Sequence, residues 1–350
     1  MKIYNWVVIG AGPAGILAVG KLLDAGIAAQ EIAWIDPEFS VGDMGKYWYQ
    51  VPSNTRVKLF NKFLNTAQAF NYQNCPQQFV LQAPAEETCL LSEVVAPLLW
   101  ITQSLGEQVA SFKTRVNFIK WQQGHWLLEG ADAQSISAQN IIMATGAEPI
   151  TKLKELNSES KIIPLAVALN PDLLKNAVEK HDKITVLGSS HSAVLVLKNL
   201  LDLQAELEII NLYRSPLCFA VDMQSWIMFD NTGLKGLAAK WAKQYLLKTI
   251  PENLKRFHSA EPEALKACYI DNKVIYAVGF ETRKIPIEGY PHYGYDNKTG
   301  IIAPGLFGIG IAFPELVEDP LGRTEYNVGL YKFSVYIDKV LPIWLNYSAK

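Results

Sequence analysis

The hydrophobic pattern of the chain spells the same arrangement twice. Val7-Val8-Ile9 is a short apolar run that ends in Gly10-Ala11-Gly12-Pro13-Ala14-Gly15. Ile16, Leu17, Val19, Leu22 and Leu23 follow at helical spacing, and the run Ile32-Ala33-Trp34-Ile35 stops at Asp36-Pro37. Strand, glycine turn, helix and strand make one βαβ unit. Further on, Ile184-Thr185-Val186-Leu187 leads into Gly188-Ser189-Ser190-His191-Ser192-Ala193. Val194, Leu195, Leu197, Leu200 and Leu201 then keep helical spacing, and a strand from Leu207 to Leu212 ends at Tyr213-Arg214. This is a second βαβ unit.

Between the two, Arg115–Lys120 and Trp126–Glu129 read as strands of an antiparallel excursion. Asn140–Ala144 reads as a strand closing on Thr145-Gly146. The polar stretch Lys152–Lys161 is the best linker. After Ala277-Val278-Gly279-Phe280, a segment rich in Gly, Tyr and Pro (residues 289–300) carries the chain back. Leu306–Ile309 then reads as a strand and Tyr326–Leu345 as a helix. The expected layout is a first domain of residues 1–155 and 290–350 interrupted by a second of residues 156–289.

Composition narrows the class. Of the 350 residues 49% are apolar and 19% charged, which supplies a core and excludes an intrinsically disordered chain. Lys plus Arg number 32 against 34 Asp plus Glu, so there is no basic excess for a nucleic-acid partner. The four cysteines (Cys75, Cys89, Cys218, Cys268) form no Cys-x-x-Cys pair, and the five histidines show no metal-ligand spacing. Lys2 and the apolar stretch Trp6–Gly20 imitate a secretory signal. Four glycines and Pro13 fall within it, however, and no small-x-small cleavage site follows. No apolar run reaches the roughly 18–20 residues of a membrane span. The expectation is a soluble, cytoplasmic protein with no metal, no nucleic acid and no membrane.

The first glycine cluster is a GxGxxG placed after a strand and before a helix. Its glycines allow a tight turn, close approach to a pyrophosphate and close helix–strand packing. The helix N-terminus offers N–H groups to the phosphates. Asp36, at the end of the next strand, suits contact with a ribose diol. In the second unit Ser190 stands in the second glycine's place and Ala193 in the third's. Arg214 and Ser215 lie at the following strand end, where an arginine favours NADP over NAD by taking the 2′-phosphate. A domain that keeps this fold without its ligand is the other reading. His191 either touches the cofactor's phosphates or fills space at the helix start. The fold class is therefore α/β, with two nested Rossmann-like dinucleotide-binding domains around central parallel sheets.

At this point the chain resembles the flavoproteins with two dinucleotide-binding domains. These include flavin-containing monooxygenases and thioredoxin-reductase-like enzymes. The likeness rests on six features: Gly10 to Gly15, Asp36, Ala144-Thr145-Gly146 with Pro149, the turn from Gly188, Ala277-Val278-Gly279-Phe280, and Leu306-Phe307-Gly308-Ile309-Gly310. It implies FAD in the first domain, held by Gly10, Gly12, Pro13, Ala14, Gly15, Asp36, Pro37, Trp48, Thr145, Gly146, Gly310 and Ile311. It implies NADPH in the second, held by Gly188, Ser189, Ser190, His191, Ser192 and Arg214. The reductases carry Asp after the last glycine, where this chain has Ile311; monooxygenase-like members also tend to lack that Asp. A disulfide reductase further needs two cysteines within bonding reach of the flavin, usually close in sequence; none of the four is closely paired, and the other reading is that distant cysteines meet in space.

Gly42-Asp43-Met44-Gly45-Lys46-Tyr47-Trp48 and Val51-Pro52-Ser53-Asn54-Thr55 are similar to the glycine-tryptophan and Asn-Thr stretches of the monooxygenases. There the asparagine lies close to the flavin, which makes Asn54 the catalytic candidate. The other reading of Asn54-Thr55 is a turn capping a helix near Arg56. The monooxygenase fingerprint Phe-x-Gly-x-x-x-His is replaced by Ile162-Ile163-Pro164-Leu165-Ala166-Val167-Ala168-Leu169. Phe229–Gly233 leads into a helix whose Leu234, Leu237, Ala238, Trp241 and Tyr245 share a face. That face either packs on the second domain or roofs a pocket. The expected activity is hydride transfer from NADPH to FAD and then to oxygen or a small organic substrate, by a chain that is a monomer or a homodimer. Reduction of another small acceptor, or a non-catalytic FAD-binding sensor or partner module, is the alternative.

Overall fold

The computed structural model describes residues 2–151, 161–203, 206–261, 273–290, 292 and 294–348. All of the expected linker except Lys161 lies outside them, as does Cys268. The elements that position the site are, in chain order, β1 (Ile3–Ile9), α1 (Pro13–Asp24), β2 (Ile32–Ile35), α2 (Leu91–Gln108), β3 (Ser135–Met143), β4 (Lys183–Leu187), α3 (His191–Asp202), β5 (Glu208–Tyr213), β6 (Leu254–His258), β7 (Lys273–Tyr276), β8 (Leu306–Gly308) and α4 (Leu330–Trp344). The chain separates into two units. One comprises Met1–Tyr49, Thr55–Ala147 and Thr282–Lys350, the other Gln50–Asn54 and Glu148–Glu281.

The first unit is built on an eight-stranded sheet. Its path runs Ile301–Ala303, β8, β3, β1, β2, Ala110–Phe112, and an antiparallel pair (Val116–Gln122 and His125–Gly130) joins through β3. β1 lies parallel to β2 and β3, with Val8 level with Trp34 on one side and Ile142 on the other. Both faces of β1 are buried. Trp6 and Val8 pack with Ile16, Leu17 and Leu22 of α1, while Val7 and Ile9 pack with Ile141, Met143, Trp126 and Leu128. A strand covered on both sides has no polar face, so it reads as an unbroken apolar run. Phe307 of β8 stacks on Trp6 (5.8 Å between centroids) and on Trp344 of α4 (5.1 Å), forming a column of three rings.

The second unit carries a five-stranded, wholly parallel sheet in the order Lys161–Ile162, β7, β4, β5, β6. α3 buries Ala193, Val194, Leu195, Val196, Leu197 and Leu200. Parallel neighbours joined through a helix are what the repeated strand–turn–helix–strand pattern demands.

Three local expectations are corrected. Tyr326 belongs to a hairpin strand, Thr324–Asn327, and the last helix begins only at Leu330. Gly329, at φ +146°, breaks the chain between them. The helix after Phe229 is Gly236–Tyr245, and its buried residues are Ala238, Trp241 and Ala242. Of the expected face, Leu234, Ala238 and Trp241 are buried and Leu237 is exposed. Asn54 lies inside the strand Pro52–Arg56, and no side chain caps the helix Val57–Leu64 that follows Arg56, so the capping reading is not what the chain does.

Candidate functional site

In the first unit three turns emerge side by side at the carboxyl ends of β1, β3 and β8, because these strands are adjacent and parallel. The glycines of the first turn divide the work. Gly10 has φ +105°, and a Cβ there would lie 2.3 Å from the Ala144 carbonyl oxygen. A Cβ on Gly15 would lie 1.9 Å from the Gly10 carbonyl oxygen. These two glycines exist for backbone packing. Gly12 is different: its backbone is extended (φ −73°, ψ 175°), and a Cβ there would meet nothing within 4 Å. The space over Gly12 is open towards the start of α1, which no side chain caps and whose first helical residue is Pro13. Uncapped N–H groups and the positive end of the helix dipole face that space. A dinucleotide's pyrophosphate fits such a cradle.

Asp36, buried at the end of β2, has both carboxylate oxygens engaged by backbone. Oδ2 accepts from the Ala11 N–H (2.7 Å), and Oδ1 accepts from Glu38 (2.8 Å) and Phe39 (2.7 Å). The carboxylate thus ties the glycine turn to the β2 exit. A carboxylate has about four acceptor sites, so a ribose hydroxyl can still be received. Gly310, at φ +89°, closes on α1, since a Cβ there would lie 2.7 Å from the Ala14 Cβ. The next residue, Ile311, is exposed.

The contacts of Arg283 are not legible in the sequence. Arg283 pairs with Asp43 (2.6 Å), its N–H donates to the Gly146 carbonyl (3.1 Å), and its own carbonyl accepts from Thr145 Oγ1 (3.2 Å). It thereby clamps the stretch Gly42–Lys46 to the turn after β3. Trp48 packs edge-on against Tyr47. Pro37 is exposed in the bend after Asp36.

The second unit repeats the first with altered chemistry. Gly188 has φ +123°, and a Cβ there would lie 2.2 Å from the Ala277 carbonyl oxygen. Ser190 is exposed at the start of α3 without capping it, which leaves a hydroxyl donor where the first turn has Gly12. Ser189 Oγ donates to the Ser215 carbonyl (2.8 Å), and Ser192 is half-buried. Arg214 is exposed, and its guanidinium has no partner among the described residues.

His191 turns away from a simple phosphate contact. Its ring is hydrogen-bonded to the backbone carbonyl of Pro52, while Nδ1 is buried without a partner among the described residues. Burial pulls its pKa below the usual imidazole range, against the smaller opposing effect of the Pro52 bond. Beneath the turn, Asn211 of β5 donates to the carbonyls of Gly188 (2.8 Å) and Val186 (3.0 Å) and accepts from Arg256 Nε (3.0 Å). Arg256 lies over the Tyr213 ring (4.7 Å). The signal for this network was a lone Asn inside the apolar run Ile209–Leu212.

Cys75 and Cys89 are free thiols. Burial pushes Cys75 up and Cys89 up to about 11, so neither is a ready thiolate. Among the described residues no cluster of His, Cys, Asp and Glu could hold a metal, and no helix is long and apolar enough to cross a membrane.

An α/β fold with parallel sheets and two glycine turns at strand ends is the architecture of dinucleotide-binding proteins. The sequence profile of the pyridine nucleotide-disulphide oxidoreductase family matches residues 4–230, and the chain belongs to that family. It is 31% identical to monooxygenase AgnR1 of Paecilomyces divaricatus over 97% of both chains. Its fold is similar to that of Kutzneria sp. 744 ornithine N-hydroxylase (TM-score 0.69, 13% identity, 99% of each chain). It is also similar to the flavin-containing monooxygenase of Stenotrophomonas maltophilia (TM-score 0.67, 15% identity, 99% of each chain). The protein is an oxidoreductase with the fold of the FAD- and NAD(P)-binding flavoproteins.

Proposed function

We propose that the chain is a monooxygenase-like flavoprotein that binds FAD in the first unit and NADPH in the second. What carries the reading is the open space over Gly12 at an uncapped helix start, beside a carboxylate already fixed to the turn. The monooxygenase relative and the flavin- and NADP-named structural neighbours support the choice of cofactors. When bound, FAD supplies hydride acceptance from NADPH and electron transfer to oxygen.

The chain's own residues bind, orient and exclude. Gly10 and Gly15 hold the turn, Gly12 leaves the pyrophosphate room, and the first-turn N–H groups of α1 receive its charge. Asp36 fixes the turn and offers its remaining acceptor capacity to the ribose. Gly310 closes its turn on the start of α1, and Ile311 beside it is an exposed apolar side chain. On the second unit Ser190 and the N-terminus of α3 face the phosphates of NADPH, and Arg214 takes the 2′-phosphate. Asn54 supplies a side-chain amide as hydrogen-bonding group for the oxygen chemistry. Electrons pass on to oxygen or to a small organic substrate, and the protein works in the cytoplasm.

The test begins with colour. Purified protein should be yellow with FAD, or take it up, and anaerobic NADPH should bleach it within seconds. Persistent colour would remove hydride transfer and leave a binding module. A colourless protein that takes up no FAD would remove the whole reading. Arg214→Ala should cut the preference for NADPH over NADH at least tenfold.

A further inference from the structure

A cavity of about 500 Å³ lies within the first unit, lined by Thr282, Lys284, Ile285, Pro286, Ile287, Tyr290, His292, Tyr295, Ala312 and Phe313. None of these residues belongs to the nucleotide turns. Two of them, Ala312 and Phe313, directly follow Gly310-Ile311. We propose that this cavity binds a small aromatic carboxylate and, on the reading above, that this is the class of the organic substrate.

The walls are held before any ligand arrives. Ile287 bridges to Ile119 of the antiparallel pair, and the backbone is tied on both sides of it. The Ile119 N–H donates to the Pro286 carbonyl (3.0 Å), and the Glu288 N–H donates to the Ile119 carbonyl (2.9 Å). Thr282 Oγ1 donates to the Ala312 carbonyl (3.2 Å), and the Tyr295 hydroxyl donates to the Phe313 carbonyl (2.7 Å). Tyr295 therefore offers the cavity its ring and not its hydroxyl. Burial pushes that phenol far above its ordinary range, so it brings no charge.

The ligand's chemistry follows from what is left unused. Ile285 and Ile287 are buried, Phe313 is buried against Tyr295 (5.2 Å between centroids), and Tyr290 packs on Trp126. This is an apolar, ring-lined floor, suited to a flat hydrophobic body. Lys284, Tyr290 and His292 have no side-chain hydrogen bond or ion pair among the described residues, and Lys284 and His292 are exposed at the rim. One free ammonium matches one negative charge. A phosphate group, with about −1.5 to −2 charges, would call for a second cation or a nest of N–H groups; the adjoining arginine, Arg283, is already paired with Asp43. The volume sits within the range of roughly 300–1,000 Å³ used by small-molecule sites, enough for two fused rings and a carboxylate.

The experiment is calorimetric titration of the purified, flavin-loaded protein with 2-naphthoate, and with methyl 2-naphthoate as the uncharged control. Lys284→Glu, an exposed position with little bearing on folding, should weaken 2-naphthoate about tenfold or more and change the ester less than twofold. Pro286→Trp, also exposed, should weaken both by narrowing the cavity. No binding of 2-naphthoate to the unaltered protein at millimolar concentration would overturn the proposal, and so would binding indifferent to both substitutions. Bleaching by NADPH is followed on the same samples. Lys284-dependent binding in a protein that NADPH cannot bleach would uphold the cavity's ligand class and discard the hydride-transfer reading instead.

Discussion

Gly12→Ala separates binding from folding, because the three glycines of the first turn serve different masters. At Gly12 the backbone is extended, so alanine adopts it freely, and the new methyl group meets no protein atom within 4 Å. Two small effects oppose each other. Alanine is a poorer N-cap than glycine by about 0.5–1 kcal/mol. It also restricts the unfolded chain, which returns about 0.4–1 kcal/mol. The net change in stability of the flavin-free protein should stay within about 1 kcal/mol. At Gly10 the same substitution meets the Ala144 carbonyl oxygen at 2.3 Å with φ +105°. Backbone strain and overpacking together should then cost about 3–5 kcal/mol. For FAD the order reverses. A methyl over Gly12 pushes the pyrophosphate away from the α1 N–H groups, and losing one charge-assisted hydrogen bond weakens binding about 10- to 100-fold. Urea unfolding of the flavin-free variants, followed by titration with FAD through quenching of its fluorescence, measures both quantities. If Gly12→Ala proves as destabilising as Gly10→Ala, or binds FAD as tightly as the unaltered chain, the division of labour is wrong.

Three further outcomes are expected. His191 is held neutral by burial, so the unfolded chain binds more protons than the native one near pH 6.5, and the native state loses stability as pH falls below about 6.5. His191→Asn should flatten that part of the profile; unfolding midpoints at pH 7.5 and 5.5 show whether it does. Asp36→Asn places an amide donor against the Ala11 N–H, one of three backbone groups the carboxylate now satisfies. It should cost about 1–3 kcal/mol in the flavin-free protein as well as weakening FAD, and an unchanged unfolding curve would contradict this. Cys89, pushed up to about 11 and buried, should resist iodoacetamide at pH 8 until urea unfolds the chain. Rapid alkylation of the native protein would refute the description of this thiol.

What could be read in the sequence is what local physics decides. A strand ending in a glycine that needs φ > 0, then a helix, is written in consecutive residues, and both βαβ units appear where Gly10 and Gly188 put them. Contacts made by register were invisible. Asn211 meets Arg256 only because β5 and β6 lie side by side with those two residues level. Arg283 reaches Asp43 across 240 positions of sequence. The cavity depends on Phe313 and Ile287 converging from separate segments, which no spacing rule announces. The misplaced start of the last helix has a nearer cause: the apolar periodicity runs through Tyr326, and the glycine that stops it, Gly329, is one small residue in that run.

The ring column of Trp6, Phe307 and Trp344 also governs how the chain is made. Trp6 is synthesised at the outset and its two stacking partners near the finish, so at roughly 5–20 residues per second the first strand waits on the order of tens of seconds for them. The whole inserted unit emerges during that interval, with its own sheet complete. The first unit must meanwhile keep the apolar flank of α1 from wrong partners. Vectorial synthesis therefore favours an order in which the insert matures first and its host closes last. A stop codon just before Trp344 should yield a chain whose second unit resists protease while its first is digested.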